Sequence, residues 1–195
     1  MSAQADDLDS ECVADILAQL SGAHIELCRG QGDELLWQRD PNRVLRPIDA
    51  LSIYARKTAP AFEAALFAGL RPADASFDPA TLKQFSIYVG EAYQILNDLA
   101  DWDENDGNKV SAGRDVIAAR PTLLRAFAVE AGASDGLAQA GNDPAAVRRV
   151  YEHNGVFDKA RRLVDKLRSR ASTLADHTHD SGLRDLLHFI VRIVL

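Results

Sequence analysis

The chain has 195 residues, 47% of them hydrophobic and 26% charged, with a net charge of −7. That length fits one domain with a substantial core, and the acidic balance argues against a nucleic-acid partner held by a general basic field. Met1–Ser10 has neither a basic nor an apolar leader segment, and the apolar run Leu186–Leu195 is short and interrupted by His188 and Arg192, so no transmembrane segment is expected and a cytoplasmic location is.

Nearly every segment has helical period, and none shows sustained strand alternation. Asp9 or Ser10 caps a first helix through Val13, Ile16, Leu17, Leu20, His24, Leu27 and Cys28, continuing past Gly30 to Trp37. The two cysteines, Cys12 and Cys28, fall among apolar neighbours on that helix and read as reduced core thiols. Pro41–Pro47 reads as a turn. Ala50–Leu70 is the second helix, with Pro60 as a kink or break. Arg71–Pro79 is a loop, Ala80–Asp101 a third helix, and Asp103–Arg114 a polar loop with Gly107 and Gly113. Pro121 opens a helix to Glu130, Gly132–Asp143 is a second loop, and Asp143-Pro144 is a cap followed by a first-turn proline. Helices over Val147–Asn154, Val156–Ala175 and Leu183–Leu195 complete an all-α chain with no repeat and no linker, one domain over residues 1–195.

The richest stretch in chemistry is Tyr93-Gln94-Ile95-Leu96-Asn97-Asp98-Leu99-Ala100-Asp101. On a helix, residues three and four apart share a face, so Gln94, Asn97, Asp98 and Asp101 point one way. Carboxylates clustered on a buried helix are costly, and a bound cation offsets that cost. Oxygen ligands of this kind suit Mg²⁺, which keeps several waters and bridges to phosphates. A solvated acidic helix end is the competing reading, because Asp103, Glu104 and Asp106 follow at once. His177-Thr178-His179 has no third ligand in view and reads as structural or solvent-facing.

Read in order, the motifs resemble the C-terminal two-thirds of the trans-prenyl diphosphate synthases, the polyprenyl synthetase family. They are Gly30-Gln31-Gly32-Asp33-Glu34-Leu35, then Lys57-Thr58, then Gly90 with Tyr93-Gln94 and Asn97-Asp98-Leu99-Ala100-Asp101. Asn108-Lys109, Gly113-Arg114-Asp115 and Arg120-Pro121-Thr122-Leu123-Leu124 follow, and Phe189-Ile190-Val191-Arg192 resembles the closing helix. The resemblance implies a helical bundle of the isoprenoid synthase type, lacking its N-terminal helices. It implies isoprenoid diphosphate substrates and an Mg²⁺ cofactor, with Asp98, Asp101 and the weaker Asn97 on the metal. It further implies that Lys57, Lys109 and Arg120 contact the allylic diphosphate. Gln31, Thr58 and Gln94 would line or orient the pocket, and Asp115 would support the metal-side loop. Lys57, Gln94 and Asp98 are the catalytic candidates.

Three departures from the family pattern stand out. The first Asp-rich box and its following Arg-Arg pair are missing, because Asp6-Asp7-Leu8-Asp9 lies directly before the Gly-Gln helix with no paired arginines after it. Asn97 stands where the second box has Asp, and Arg120 where the family has a lysine, which keeps charge but not geometry. A homo-oligomer, or a heteromer with a prenyl synthase chain carrying the first box, is therefore expected, and a non-catalytic subunit or binding protein is the alternative. Asn97, Asp101 and Asn105 also have the i, i+4, i+8 spacing of the metal triad in class I terpene cyclases, with a poor fit at the last two positions. Without the family context, Lys57 reads as a solvated helix lysine and Gln31 as a buried amide. Lys109, Arg114 and Arg120 then read as surface partners of nearby aspartates.

Overall fold

The computed structural model describes residues 8–40, 44–75, 77–102 and 113–195, and every regular element among them is a helix. In chain order these are α1 (Ser10–Arg39), α2 (Pro47–Leu70), α3 (Pro79–Ala100), α4 (Arg114–Ile117) and α5 (Leu123–Glu130). They continue as α6 (Ser134–Ala140), α7 (Pro144–His153), α8 (Val156–Asp176) and α9 (Ser181–Val194). Local chemistry marks the starts. Asp9, Asp78, Asp143 and Asp180 accept from the amides of Cys12, Thr81, Ala145 and Leu183 at 2.7, 2.9, 3.0 and 2.7 Å. These caps satisfy first-turn N–H groups that a helix leaves open. Pro47, Pro79 and Pro144 each sit in a first turn, where a missing N–H costs nothing.

The all-α expectation holds, with corrections of detail. The loop expected over Gly132–Asp143 contains α6, whose single buried residue is Leu137 and whose start has no side-chain cap. Neither periodicity nor capping marks such a segment in sequence. Pro121 precedes α5 instead of opening it, because Thr122 is the cap and accepts from the Arg125 amide at 3.3 Å. α2 runs unbroken through Pro60, held by neighbours packed on both sides. His177 caps the end of α8, its Nδ1 2.6 Å from the Thr173 carbonyl oxygen. Asn105, Asn108 and Lys109 lie outside the described residues.

α2 lies between α1 and α3, and α8 backs α3 and carries α9. Val156, Ala160, Val164, Leu167, Ala171 and Ala175, all buried, recur at three- and four-residue spacing and turn one face of α8 to the core. One core region gathers Tyr54, Ile95, Leu123, Leu124 and Tyr151; a second joins Leu66, Phe85, Val89 and Leu187. Trp102, Tyr151 and Phe157 meet edge to face at 5.4–5.8 Å below the end of α3, the favoured aromatic geometry.

Two glycines set how closely the first three helices pack. A Cβ on Gly30 of α1 would lie 2.6 Å from the Lys57 nitrogen, and one on Gly90 of α3 would lie 2.8 Å from the Ala59 nitrogen. Backbone therefore meets backbone on both sides of Lys57-Thr58-Ala59. α1 is otherwise lightly covered, with only Cys12, Gly30 and Glu34 buried along its 30 residues. Val13, Leu17, Leu20 and Leu35 share a face and are 38, 57, 45 and 48% exposed. Cys28, expected in the core, is exposed beside that stripe, whereas Cys12 is buried as expected. No helix among the described residues is long and apolar enough to cross a membrane.

Gly90→Ala places its methyl against fixed backbone, and overpacking of this kind costs about 1–3 kcal/mol. A lowered urea midpoint with an unchanged slope is expected; a midpoint equal to wild type would show that α2 and α3 are not in this contact.

Candidate functional site

The close packing of α1, α2 and α3 opens a cavity of about 510 Å³ at one end of the bundle. Four elements wall it. α1 supplies Glu34; α2 supplies Tyr54 and Lys57; α3 and its C-cap supply Gln94, Asn97, Asp98 and Asp101. The segment around α4 closes the fourth side with Arg114, Asp115, Arg120 and Thr122. The placement follows from the glycines, because Glu34 lies one turn beyond Gly30 and Gln94 one turn beyond Gly90. Each contact between helix backbones thus delivers a polar side chain to the same end of α2.

Inside the cavity the charges are paired internally. Lys57 Nζ stands 2.9 Å from Glu34 Oε2, and both side chains are largely buried. Asp101, 6% exposed, accepts the Asp115 amide through Oδ2 at 3.1 Å, while its carbonyl accepts the Gly113 amide at 2.9 Å. Arg114 Nε faces the other Asp101 oxygen at 3.9 Å. Arg120 donates to Asp115 Oδ1 at 3.0 Å. Asp98, also 6% exposed, accepts through Oδ2 from the Tyr54 hydroxyl, which itself accepts the Leu123 amide at 2.8 Å. Asn97 is exposed at the rim.

The structure thus brings Lys57, Gln94, Asn97, Asp98, Asp101 and Arg120 to one cavity. Thr58 stands one layer behind and accepts from Gln94 Nε2 at 2.7 Å, which orients that amide. Gln31 does not line the cavity; it is exposed on α1 and donates to Glu34 Oε2 at 2.9 Å. Tyr54 and Glu34 were not among the expected site residues. Glu34 had a signal, as the acidic residue that follows the Gly-Gln pair. Tyr54 had none, because its partners are 44 and 69 residues away in sequence.

The donors fit Mg²⁺ by chemistry, since every ligand candidate offers oxygen. Asp98 and Asp101 each have one oxygen hydrogen-bonded to a protein donor, with Arg114 at 3.9 Å from the other Asp101 oxygen, which suits an ion that takes one or two carboxylate oxygens and keeps its waters. Among the described residues no three His, Cys, Asp or Glu side chains form a metal cage by themselves.

Burial dominates the electrostatics of Asp98 and pushes its carboxyl up to about 7, against the lowering effect of the Tyr54 hydrogen bond. Asp115 is also raised, by burial and then by the nearby Asp101, with Arg120 opposing. Burial raises Glu91 to about 7, with Arg170 opposing.

Comparison with known proteins fits this geometry. The sequence matches the polyprenyl synthetase family over residues 2–153. The chain belongs to that family. Its fold is shared by geranylgeranyl pyrophosphate synthase from Corynebacterium glutamicum, solved with isoprenyl diphosphate and magnesium, at 19% identity and TM-score 0.84, over 98% of this chain and 57% of that one. Geranylgeranyl pyrophosphate synthetase from Pyrococcus horikoshii gives 21% identity and TM-score 0.79, over 96% and 60%. Farnesyl diphosphate synthase from T. brucei gives 17% and 0.82, over 93% and 58%. The chain therefore spans about three-fifths of the length of these structural relatives. No curated protein matches it by sequence.

A carboxyl whose folded pKa lies above its unfolded value near 4 holds its proton longer when folded. Its contribution to stability is complete below about pH 4 and is lost as pH rises through about 7. Glu91 titrates in the same window, so the informative quantity is a difference between variants. The stability of Asp98→Asn relative to wild type is expected to increase from about pH 5 to about pH 8 in urea titrations. A pH-independent difference would contradict the buried, proton-holding carboxyl.

Proposed function

We propose that this chain is a trans-prenyltransferase-like protein that binds isoprenoid diphosphates together with Mg²⁺. The reaction of this class joins an allylic diphosphate to isopentenyl diphosphate. A carbon–carbon bond forms between the allylic C1 and the isopentenyl terminal carbon, diphosphate leaves, and a proton is lost from the isopentenyl unit. The observation that carries the proposal is that Lys57, Asp98, Asp101 and Arg120 line one cavity. Family membership supports it.

In this reading Lys57 and Arg120 bind the allylic diphosphate, Lys57 as a point charge and Arg120 as a fork. Lys109, on the Asn108-Lys109 motif, would add a third cation. Gln94, held by Thr58, orients the substrate near the reacting carbon, while Gln31 acts at a distance by holding Glu34. Asp98 and Asp101 would hold the metal, with Asn97 as a neutral ligand. Bound Mg²⁺ supplies charge neutralisation of the departing diphosphate. The rest is positioning and electrostatics, for which a cavity already lined with fixed charges is well suited. The internal pairs Lys57–Glu34 and Arg120–Asp115 hold the cations in place until an anion competes for them.

Residues 1–195 form one truncated domain of the isoprenoid synthase type in this proposal, which associates with a second copy or with a prenyl synthase chain, the latter supplying the first Asp-rich box. The exposed face of Val13, Leu17, Leu20 and Leu35 supports association, since contiguous apolar surface on a protein marks an interaction site. A second reading, a non-catalytic subunit that binds diphosphate without turnover, is favoured by Asn97 in place of the box's first carboxylate.

Transfer of radiolabelled isopentenyl diphosphate to allylic primers separates the two readings. Product above background supports catalysis, and Mg²⁺-dependent diphosphate binding without product supports the subunit. Loss of a charge-assisted contact costs about 1.5–3 kcal/mol, so Lys57→Ala is expected to weaken diphosphate binding roughly ten- to a hundredfold by calorimetry. Wild-type affinity in that variant would remove Lys57 from the site. Sedimentation at micromolar concentration is expected to show a dimer or larger species; a strict monomer, soluble alone, would contradict the association.

A further inference from the structure

Tyr54 is a positioning residue, we propose: it fixes which oxygen Asp98 presents to the cavity, and through that oxygen it sets the affinity of the site for magnesium diphosphate. This rests on the reading of the cavity given above. Tyr54 is 4% exposed and its hydroxyl stands at the junction of three elements. It lies on α2, one turn before Lys57 and Thr58; its partners are Asp98 on α3 and the backbone of Leu123 at the first turn of α5.

With Asp98 ionised, the form that binds a cation, the chemistry of the junction allows only one arrangement. The Leu123 amide can only donate, so at 2.8 Å the phenol oxygen must accept from it. The phenol has one proton, and that proton goes to Asp98 Oδ2. The chain therefore runs one way, from amide to hydroxyl to carboxylate. Leu123 supplies one of the N–H groups that the start of α5 leaves without a helical partner, and the hydroxyl passes its polarity on to the carboxylate. Oδ2 is thereby committed, and Oδ1 is the oxygen left for a ligand. A carboxylate already held through one oxygen favours monodentate contact with a cation through the other, the mode a well-hydrated octahedral ion takes.

The same hydroxyl ties the acidic wall to the cationic one. Leu123 directly follows Arg120, Pro121 and Thr122, which line the same cavity as Asp98. A buried tyrosine hydroxyl needs a partner but not this one. Here it bonds the single carboxylate of α3 that is buried within the helix and also faces the cavity. Phenylalanine would fill the same core volume, leave Asp98 Oδ2 and the Leu123 amide unpaired, and free the carboxylate to turn.

The test uses the full chain with inorganic pyrophosphate and Mg²⁺ as the probe, titrated calorimetrically into wild type, Tyr54→Phe, Asp98→Asn and the double variant. Tyr54→Phe is expected to weaken Mg²⁺-dependent pyrophosphate binding about tenfold, the size expected for a hydrogen bond to a charged group. In the Asp98→Asn background the same change is expected to cost less than about twofold, because the hydroxyl acts through the carboxylate. A merely structural role would weaken binding equally in both backgrounds, and that result overturns the proposal, as does an unchanged affinity in Tyr54→Phe alone. If Tyr54→Phe does not fold, 3-fluorotyrosine at position 54 keeps the shape and both hydrogen bonds. Its fluorine resonance is expected to shift saturably with magnesium pyrophosphate, and a resonance that does not move overturns the proposal. Failure of wild type to bind the probe overturns the reading of the cavity itself, whereas normal wild-type binding with no effect at Tyr54 overturns the positioning role alone.

Discussion

The structure depends on a contact that side chains would forbid. α2 is gripped on both flanks of Lys57-Thr58-Ala59 by helices whose facing residues, Gly30 and Gly90, have no Cβ. Glycine in a helix interior costs about 0.5–1 kcal/mol relative to alanine. Two such costs are offset by a close packing that no larger residue permits. One helical turn beyond each glycine lies the side chain that reaches across to α2. Glu34 meets Lys57 at 2.9 Å, and Gln94 meets Thr58 at 2.7 Å. Packing geometry and site geometry are the same fact seen at adjacent turns.

Electrostatics then decides what the cavity does before a ligand arrives. Four acidic side chains and three cationic ones line it, Glu34, Asp98, Asp101 and Asp115 against Lys57, Arg114 and Arg120. Burying a charge without a partner is expensive, and in this cavity each acid has a donor at hand. The resulting lattice of pairs keeps the cations extended toward the space that a diphosphate would fill. A ligand that brings both signs, an anion with its metal, exchanges these pairs without leaving either set of charges stranded. An anion alone displaces Glu34 and Asp115 from their cationic partners and leaves them without a counter-charge. That asymmetry gives a physical reason for the binding of diphosphate and cation to be coupled.

Much of this is legible in the residues themselves. Helical period and aspartate caps mark the long helices, and Asp9 and Asp143 cap where their chemistry says they would. Gly30, Lys57, Gly90, Gln94 and the Asp98–Asp101 pair are visible because their order and spacing match a family pattern. What escapes the sequence is set by distant partners or by weak local signals. Tyr54 looks like a core tyrosine until Asp98 and Leu123 are seen beside it. α6 has one buried side chain and no cap, so nothing in its composition distinguishes it from a loop. Cys28 lies beside an apolar stripe that reads as core, yet α1 packs chiefly on α2 and leaves that stripe exposed.

The central claim is that the cavity between Lys57 and the Asp98–Asp101 pair receives a diphosphate and its cation. Its most direct test is a crystal structure with an unreactive isoprenoid thiodiphosphate and Mn²⁺ in place of Mg²⁺, read by anomalous scattering. Diphosphate density beside Lys57, with a manganese peak next to Asp98 and Asp101, is the expected result. Those side chains still bonded to Glu34, Tyr54 and Asp115 around solvent alone, or the ligand bound elsewhere on the chain, would contradict it.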